Sequence, residues 1–107
     1  MPYLEYEVEL DDEAREWLRL RITTEGADVT AFTAQYETTI GGERTPVVRY
    51  DNAHGYAHRD VLDRRGRVID KRPVPGNPTL KEALEIGRMD LRNNWPHYRA
   101  AFFGDAP

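Results

Sequence analysis

Residues 3–10 read Tyr3-Leu4-Glu5-Tyr6-Glu7-Val8-Glu9-Leu10. Leu4, Tyr6, Val8 and Leu10 alternate with Glu5, Glu7 and Glu9. A period of two sends the two sets to opposite faces of a strand, so the pattern predicts a half-buried strand at the N-terminus. Asp11 to Glu16 breaks the alternation as a turn. Leu18, Leu20 and Ile22 then alternate with Arg19 and Arg21, a second strand. Glu25-Gly26-Ala27-Asp28 reads as a turn. Residues 29–38 are rich in Val, Thr, Phe and Tyr, which suit a pleated surface. Gly41-Gly42 marks the next turn, and Pro46 is expected to open a short strand from Val47 to Tyr50. His58 to Leu62 and Arg67 to Lys71 flank Asp63-Arg64-Arg65-Gly66, where Gly66 can take positive φ and close a bulged hairpin.

The pattern then changes period. The run from Pro73 to Pro78 predicts a stiff connector that continues neither strand nor helix. Thr79 and Glu82 have the Thr-x-x-Glu spacing of a capping box. Leu80, Ala83, Leu84, Gly87 and Leu91 follow at helical spacing. Pro96 is expected to end or kink this helix near Asn93-Asn94, with a short second helix from about Trp95 to Phe103. Strands come first and the helix last, with no β-α-β alternation. The reading is one α+β domain over residues 1–107. It is a small antiparallel sheet of about five strands with the C-terminal helix, kinked or split near Pro96, packed on one face.

Composition bounds the chemistry. The chain has 107 residues, 39% apolar and 32% charged, enough for one compact core under a charged surface. It has no cysteine, which excludes disulfides, zinc–thiolate sites and a cysteine nucleophile. No apolar run approaches the ~20 residues of a membrane-spanning helix. The N-terminus is acidic and has no apolar signal core. A soluble, cytoplasmic protein with no membrane association is expected. The net charge of −4 is unevenly spread. Glu5, Glu7, Glu9, Asp11, Asp12, Glu13 and Glu16 crowd the start, whereas Arg59, Arg64, Arg65, Arg67, Lys71 and Arg72 crowd the middle. Such a basic patch attracts phosphate on an acidic protein, or simply keeps a hairpin soluble.

The densest group of ionisable residues is Tyr50-Asp51-Asn52-Ala53-His54-Gly55-Tyr56-Ala57-His58-Arg59-Asp60. On an extended chain His54 and His58 would lie about 13 Å apart, too far for one ion. A metal site would need the loop to fold back, so no metal or other cofactor is expected. Acid–base chemistry fits the residue types better. His54 or His58 can serve as base or acid near neutral pH. Arg59 can clamp a phosphate, Tyr50 or Tyr56 can stack on a base, and Lys71 and Arg65 lie on the adjoining hairpin. The plainer reading is a turn in which Asp51 and Asn52 cap backbone amides, Gly55 relieves the backbone and His54 orders the loop.

The run Tyr50-Asp51-Asn52-Ala53-His54-Gly55, followed by His58-Arg59, resembles the central motif of TumE-type toxin components of bacterial and archaeal toxin–antitoxin pairs. The resemblance is strong over about residues 47–60 and loose in the strand order and the C-terminal helix. It implies a growth inhibitor neutralised by a cognate antitoxin protein, acting by metal-independent RNA cleavage or another attack on translation. Asp51, His54, His58 and Arg59 carry over as its candidate catalytic positions. Two features depart from the pattern: Asp60 directly after Arg59, and the acidic first strand. A net charge of −4 also opposes phosphate binding. Two other readings stand beside this one. In the first, a non-catalytic module uses the acidic strand at 3–10 to meet a basic partner and the basic hairpin to meet nucleic acid or an acidic protein. In the second, the chain is a homodimer built on the sheet face that carries Trp17, Arg19 and Arg21.

Overall fold

A computed structural model describes residues 2–104. The described residues run as six strands and then one helix: β1 (Tyr3–Glu9), β2 (Glu16–Glu25), β3 (Asp28–Ile40), β4 (Glu43–Asp51), β5 (His58–Leu62), β6 (Val68–Pro73) and α1 (Leu80–Phe102). The strands form a single antiparallel meander in the order β1-β2-β3-β4-β5-β6. The architecture is the expected α+β, with six strands rather than about five.

Each chain reversal follows local chemistry. In the β5–β6 hairpin, Gly66 takes φ of 80° and its N–H donates to the Asp63 carbonyl at 3.0 Å. The Asp63 N–H donates to the Arg67 carbonyl at 2.8 Å, which closes the bulged turn that Asp-Arg-Arg-Gly predicts. Pro46, expected to open a strand, lies inside one, and Pro73, expected in the connector, is the last residue of another. Pro46 sits within β4 opposite Glu37, where the register with β3 shifts after Tyr36, so a bulge absorbs the missing N–H. Pro73 ends β6, an edge strand whose outer side needs no donor.

α1 packs against β2, β3 and β4. Leu18, Leu20, Phe32, Ala34, Tyr36, Val48 and Tyr50 from those strands meet Ala83 and Leu91 of the helix in the buried core. At Gly87 the helix passes close over Tyr50. A Cβ built there would lie 2.7 Å from Tyr50 Cγ and 2.9 Å from Tyr50 Cβ. The helix needs glycine because an aromatic side chain crosses its axis at that point.

The helix does not split at Pro96. It runs as one element of 23 residues with Pro96 inside. Side chains on both sides of the proline are anchored to the sheet. Trp95 packs on Tyr36 with ring centroids 6.1 Å apart, the Arg59 guanidinium donates to the Tyr98 hydroxyl, and Arg99 donates to Glu16 at 3.3 Å. These contacts offset the lost backbone bond. At its start the capping box is complete: the Glu82 N–H donates to Thr79 Oγ1, and the Thr79 N–H donates to the Glu82 carboxylate.

The N-terminal strand departs most from expectation. Its pairing is regular, with Leu4 opposite Ile22, Tyr6 opposite Leu20 and Val8 opposite Leu18. These side chains therefore share the face on which α1 lies, yet all seven residues of β1 are exposed. β1 is an edge strand, beyond β2, and Leu4 keeps 54% of its surface. Trp17, on the face of the homodimer reading, is half-buried: the Arg44 guanidinium lies over its ring at 4.2 Å, and its Nε1–H donates to the Ala14 carbonyl at 3.1 Å.

Candidate functional site

The β4–β5 ladder pairs Val48 with Val61, Arg49 with Asp60, Tyr50 with Arg59 and Asp51 with His58. Directly opposed residues share a face and successive residues alternate. The sheet therefore divides the motif. Tyr50 and Arg59 project toward α1, while Asp51, His58 and Asp60 project from the opposite, uncovered face.

On the uncovered face His58 is 1% exposed although no helix lies over it. The loop at 52–57 folds back across it. Asn52 holds the loop to β3: its Oδ1 accepts from the Phe32 N–H at 3.0 Å and its Nδ2 donates to the Thr30 carbonyl at 3.2 Å. Gly55, with φ of 86°, donates its N–H to the Asn52 carbonyl. The turn stacks the His54 ring on His58, with centroids 5.6 Å apart, and brings the Tyr56 ring to 5.3 Å. The two histidines expected about 13 Å apart on an extended chain are thus neighbours. Their rings lie face to face rather than converging on a point.

Both nitrogens of His58 meet carboxylates. Nδ1 is 3.0 Å from Asp60 Oδ1 in a hydrogen bond. Nε2 is 3.0 Å from Asp51 Oδ1 but lacks hydrogen-bond alignment with it or any other group. Asp51 Oδ1 also accepts the Ala53 N–H at 3.0 Å. Lys71 Nζ stands 3.7 Å from Asp60 Oδ1. Further along the same face, Arg49 donates to Gln35, and Glu37 lies buried beside Arg19 and Arg44. Arg44 also pairs with Glu7, which carries the polar network to β1.

On the helix face Arg59 is a tie between layers. Its NH1 donates to the Tyr98 hydroxyl at 3.2 Å and its NH2 to Asp70 at 2.9 Å. The Tyr50 hydroxyl donates to Asp90 at 2.7 Å, and Tyr98 donates to the same carboxylate oxygen. Burial pushes the Tyr50 phenol well above its ordinary range, and the bond to Asp90 pushes the same way. Tyr98 is raised for the same two reasons, in the same order. Burial opposes the charge on Arg59, but its bonds to Tyr98 and Asp70 more than compensate and its pKa rises. A cleft of about 240 Å3 opens beside Tyr50, Arg59, Arg72 and Ile86.

The predicted residues thus fall into three places. Asp51, His54, Tyr56, His58 and Lys71 come together on the uncovered face. Tyr50 and Arg59 lie behind the sheet, and Arg65 sits exposed at the hairpin tip, where its N–H donates to Asp63. Asp60 is the partner that reading along the chain undervalued. Its place two residues after His58 on a strand was the available signal, since i and i+2 share a face. Asp90 and Tyr98 carried no such signal, because their role depends on how α1 docks. Among the described residues no helix is long and apolar enough to cross a membrane.

No curated protein and no solved structure matches the chain. The family model described as "Domain of unknown function (DUF7718)" matches residues 1–105, and the chain belongs to that family.

Proposed function

We propose that this chain is a protein-binding module whose β1 edge receives an extended, basic segment of a partner. The observation that carries the reading is the exposure of β1 along its whole length. An edge strand offers unpaired backbone donors and acceptors to a further strand. On the helix side it presents Leu4, Tyr6 and Val8, and on the other side Glu5, Glu7 and Glu9. A natural edge is usually protected by lysine, proline or a covering loop, whereas β1 keeps apolar groups open. The complementary segment alternates apolar residues with Lys or Arg. Fluorescence anisotropy with a labelled peptide of alternating valine and lysine tests it. Saturable binding that weakens with salt and is lost in Tyr6→Lys is expected. Equal binding of a valine–glutamate peptide, or no effect of Tyr6→Lys, contradicts it.

A second reading has its own support in the stacking of exposed His54 on His58, with Tyr56 and Lys71 on the same face. It is the toxin-type endoribonuclease that the Tyr50–Arg59 motif implies, with His54 and His58 as acid and base and β1 as the seat of a cognate antitoxin. In that reading the loop at 52–57 lifts to admit RNA, and Tyr50 and Arg59 support the sheet from behind. Expression of the wild-type chain then arrests growth, and His54→Ala and His58→Ala relieve the arrest. Harmless expression of all three at equal levels removes the reading.

A further inference from the structure

We propose that Asp51 and His58 bind a divalent first-row transition-metal cation, with Asp60 as the outer carboxylate that orients the imidazole. The site goes beyond the β1 reading and does not depend on it. Among the described residues, Asp51, His58 and Asp60 are all buried and offer ligand atoms within 4.8 Å of one another. Clustered carboxylates alone would not make a site. The second observation is the state of His58 Nε2, a polar atom in a side chain 1% exposed that has no hydrogen-bond partner. It lies 3.0 Å from Asp51 Oδ1 without hydrogen-bond alignment to it.

That contact is unfavourable in the absence of a third body. If Nε2 carries its hydrogen, the hydrogen is misdirected from the carboxylate. If it does not, a buried nitrogen lone pair is left without a donor, 3.0 Å from a carboxylate oxygen. A cation between them resolves both cases. Ligand atoms 3.0 Å apart, each about 2.1 Å from one ion, subtend about 90° at it. That is an octahedral angle, and with imidazole and carboxylate donors it favours Mn2+, Fe2+, Co2+ or Ni2+ over tetrahedral zinc.

The surroundings fit the same assignment. Nδ1 of His58 lies 3.0 Å from Asp60 Oδ1; against an ionised carboxylate, which can only accept, it is the donor, and Nε2 is the nitrogen left to coordinate, as in carboxylate–histidine–metal arrangements. Lys71 balances part of the charge on Asp60 from 3.7 Å. Asp51 lines a cleft of about 250 Å3 with Asn52, Thr33, Arg21 and Tyr3, which opens the Asp51 side of the pair to solvent. The argument from sequence looked for two histidines along the chain. Strand pairing supplies the ligands across the ladder instead, Asp51 from β4 opposite His58 from β5.

Mn2+ is the probe, because its paramagnetism reports position in the wild-type chain. In an amide and imidazole 1H–15N spectrum, substoichiometric Mn2+ should broaden the signals of Asp51, Ala53, His58 and Asp60 first, and titration calorimetry should give one site per chain. Asp51→Asn should weaken the affinity at least tenfold, and Asp60→Asn, which removes only the outer carboxylate, by 10–100-fold. The spectrum needs no variant, so a failure of either variant to fold leaves the test intact. Broadening confined to the acidic turn at Asp11 to Glu13 overturns the proposal. So does an absence of saturable binding at millimolar Mn2+, with both His58 nitrogens protonated, which would mark the trio as an imidazolium clasp.

Discussion

At Gly87 the helix backbone passes directly over the Tyr50 side chain, with no room for a β-carbon. Gly87→Ala adds one methyl group where only 2.7 Å is free to Tyr50 Cγ. The gain in helix propensity, up to ~1 kcal/mol, opposes an overpacking cost of about 1–3 kcal/mol. A net loss of about 1–2 kcal/mol is expected, read as a lower urea midpoint. The glycine stood in the helical pattern with no hint of its role, since the pattern does not say which strand residue passes beneath. The tyrosines allow a second test at this scale. Burial raises the phenols of Tyr36, Tyr50 and Tyr98 in the folded chain. A raised folded pKa means stability present below the unfolded value of about 10 and lost as pH rises beyond it. At about pH 11 the folded chain should show less tyrosinate absorbance than the chain in denaturant, and its stability should already be falling. Full tyrosinate absorbance in a still-folded chain would contradict the buried Tyr50–Asp90–Tyr98 cluster.

Elements were legible in the sequence wherever local chemistry decides them. The Asp-Arg-Arg-Gly hairpin, the Thr79–Glu82 box and the alternation at 3–10 each name their own structure, and each forms. Thr79→Ala should cost about 1 kcal/mol of stability by releasing the Glu82 N–H, measurable by thermal or urea unfolding. No measurable change would mean that the sheet, rather than the cap, holds the first turn. What the elements do to one another was not legible. The alternation of β1 predicts one apolar face, but burial of that face depends on where α1 lies, and α1 packs on β2, β3 and β4. The proline in α1 was expected to kink or split the helix because backbone chemistry says so. The anchors that carry the helix through it, Trp95 on Tyr36 and Arg99 on Glu16, lie far away in sequence. The motif shows the same limit. Its residue types suggested one site, and the two-residue period of β5 sends His58 and Arg59 to opposite faces. That division followed from the strand assignment alone and needed only the alternation to be applied to the motif itself.

At the scale of the molecule the sheet has one covered face, one polar face and two open edges. The polar face holds buried charges that a fold of this size does not require for stability, since buried ion pairs rarely outperform apolar packing. Glu37 and the Asp51–His58–Asp60 trio are the buried ones, and half-buried Arg19 and Arg44 link Glu37 to exposed Glu7 on β1. The β1 edge is acidic and apolar, and the β6 edge carries Lys71 and Arg72, so the two edges differ in charge. Hydrogen exchange along the backbone separates them most directly. With a saturating valine–lysine peptide, the outward amides of Tyr3–Glu9 should slow in exchange while those of Val68–Pro73 do not. Protection at Val68–Pro73, or unchanged exchange along Tyr3–Glu9, would contradict the assignment of β1 as the binding edge.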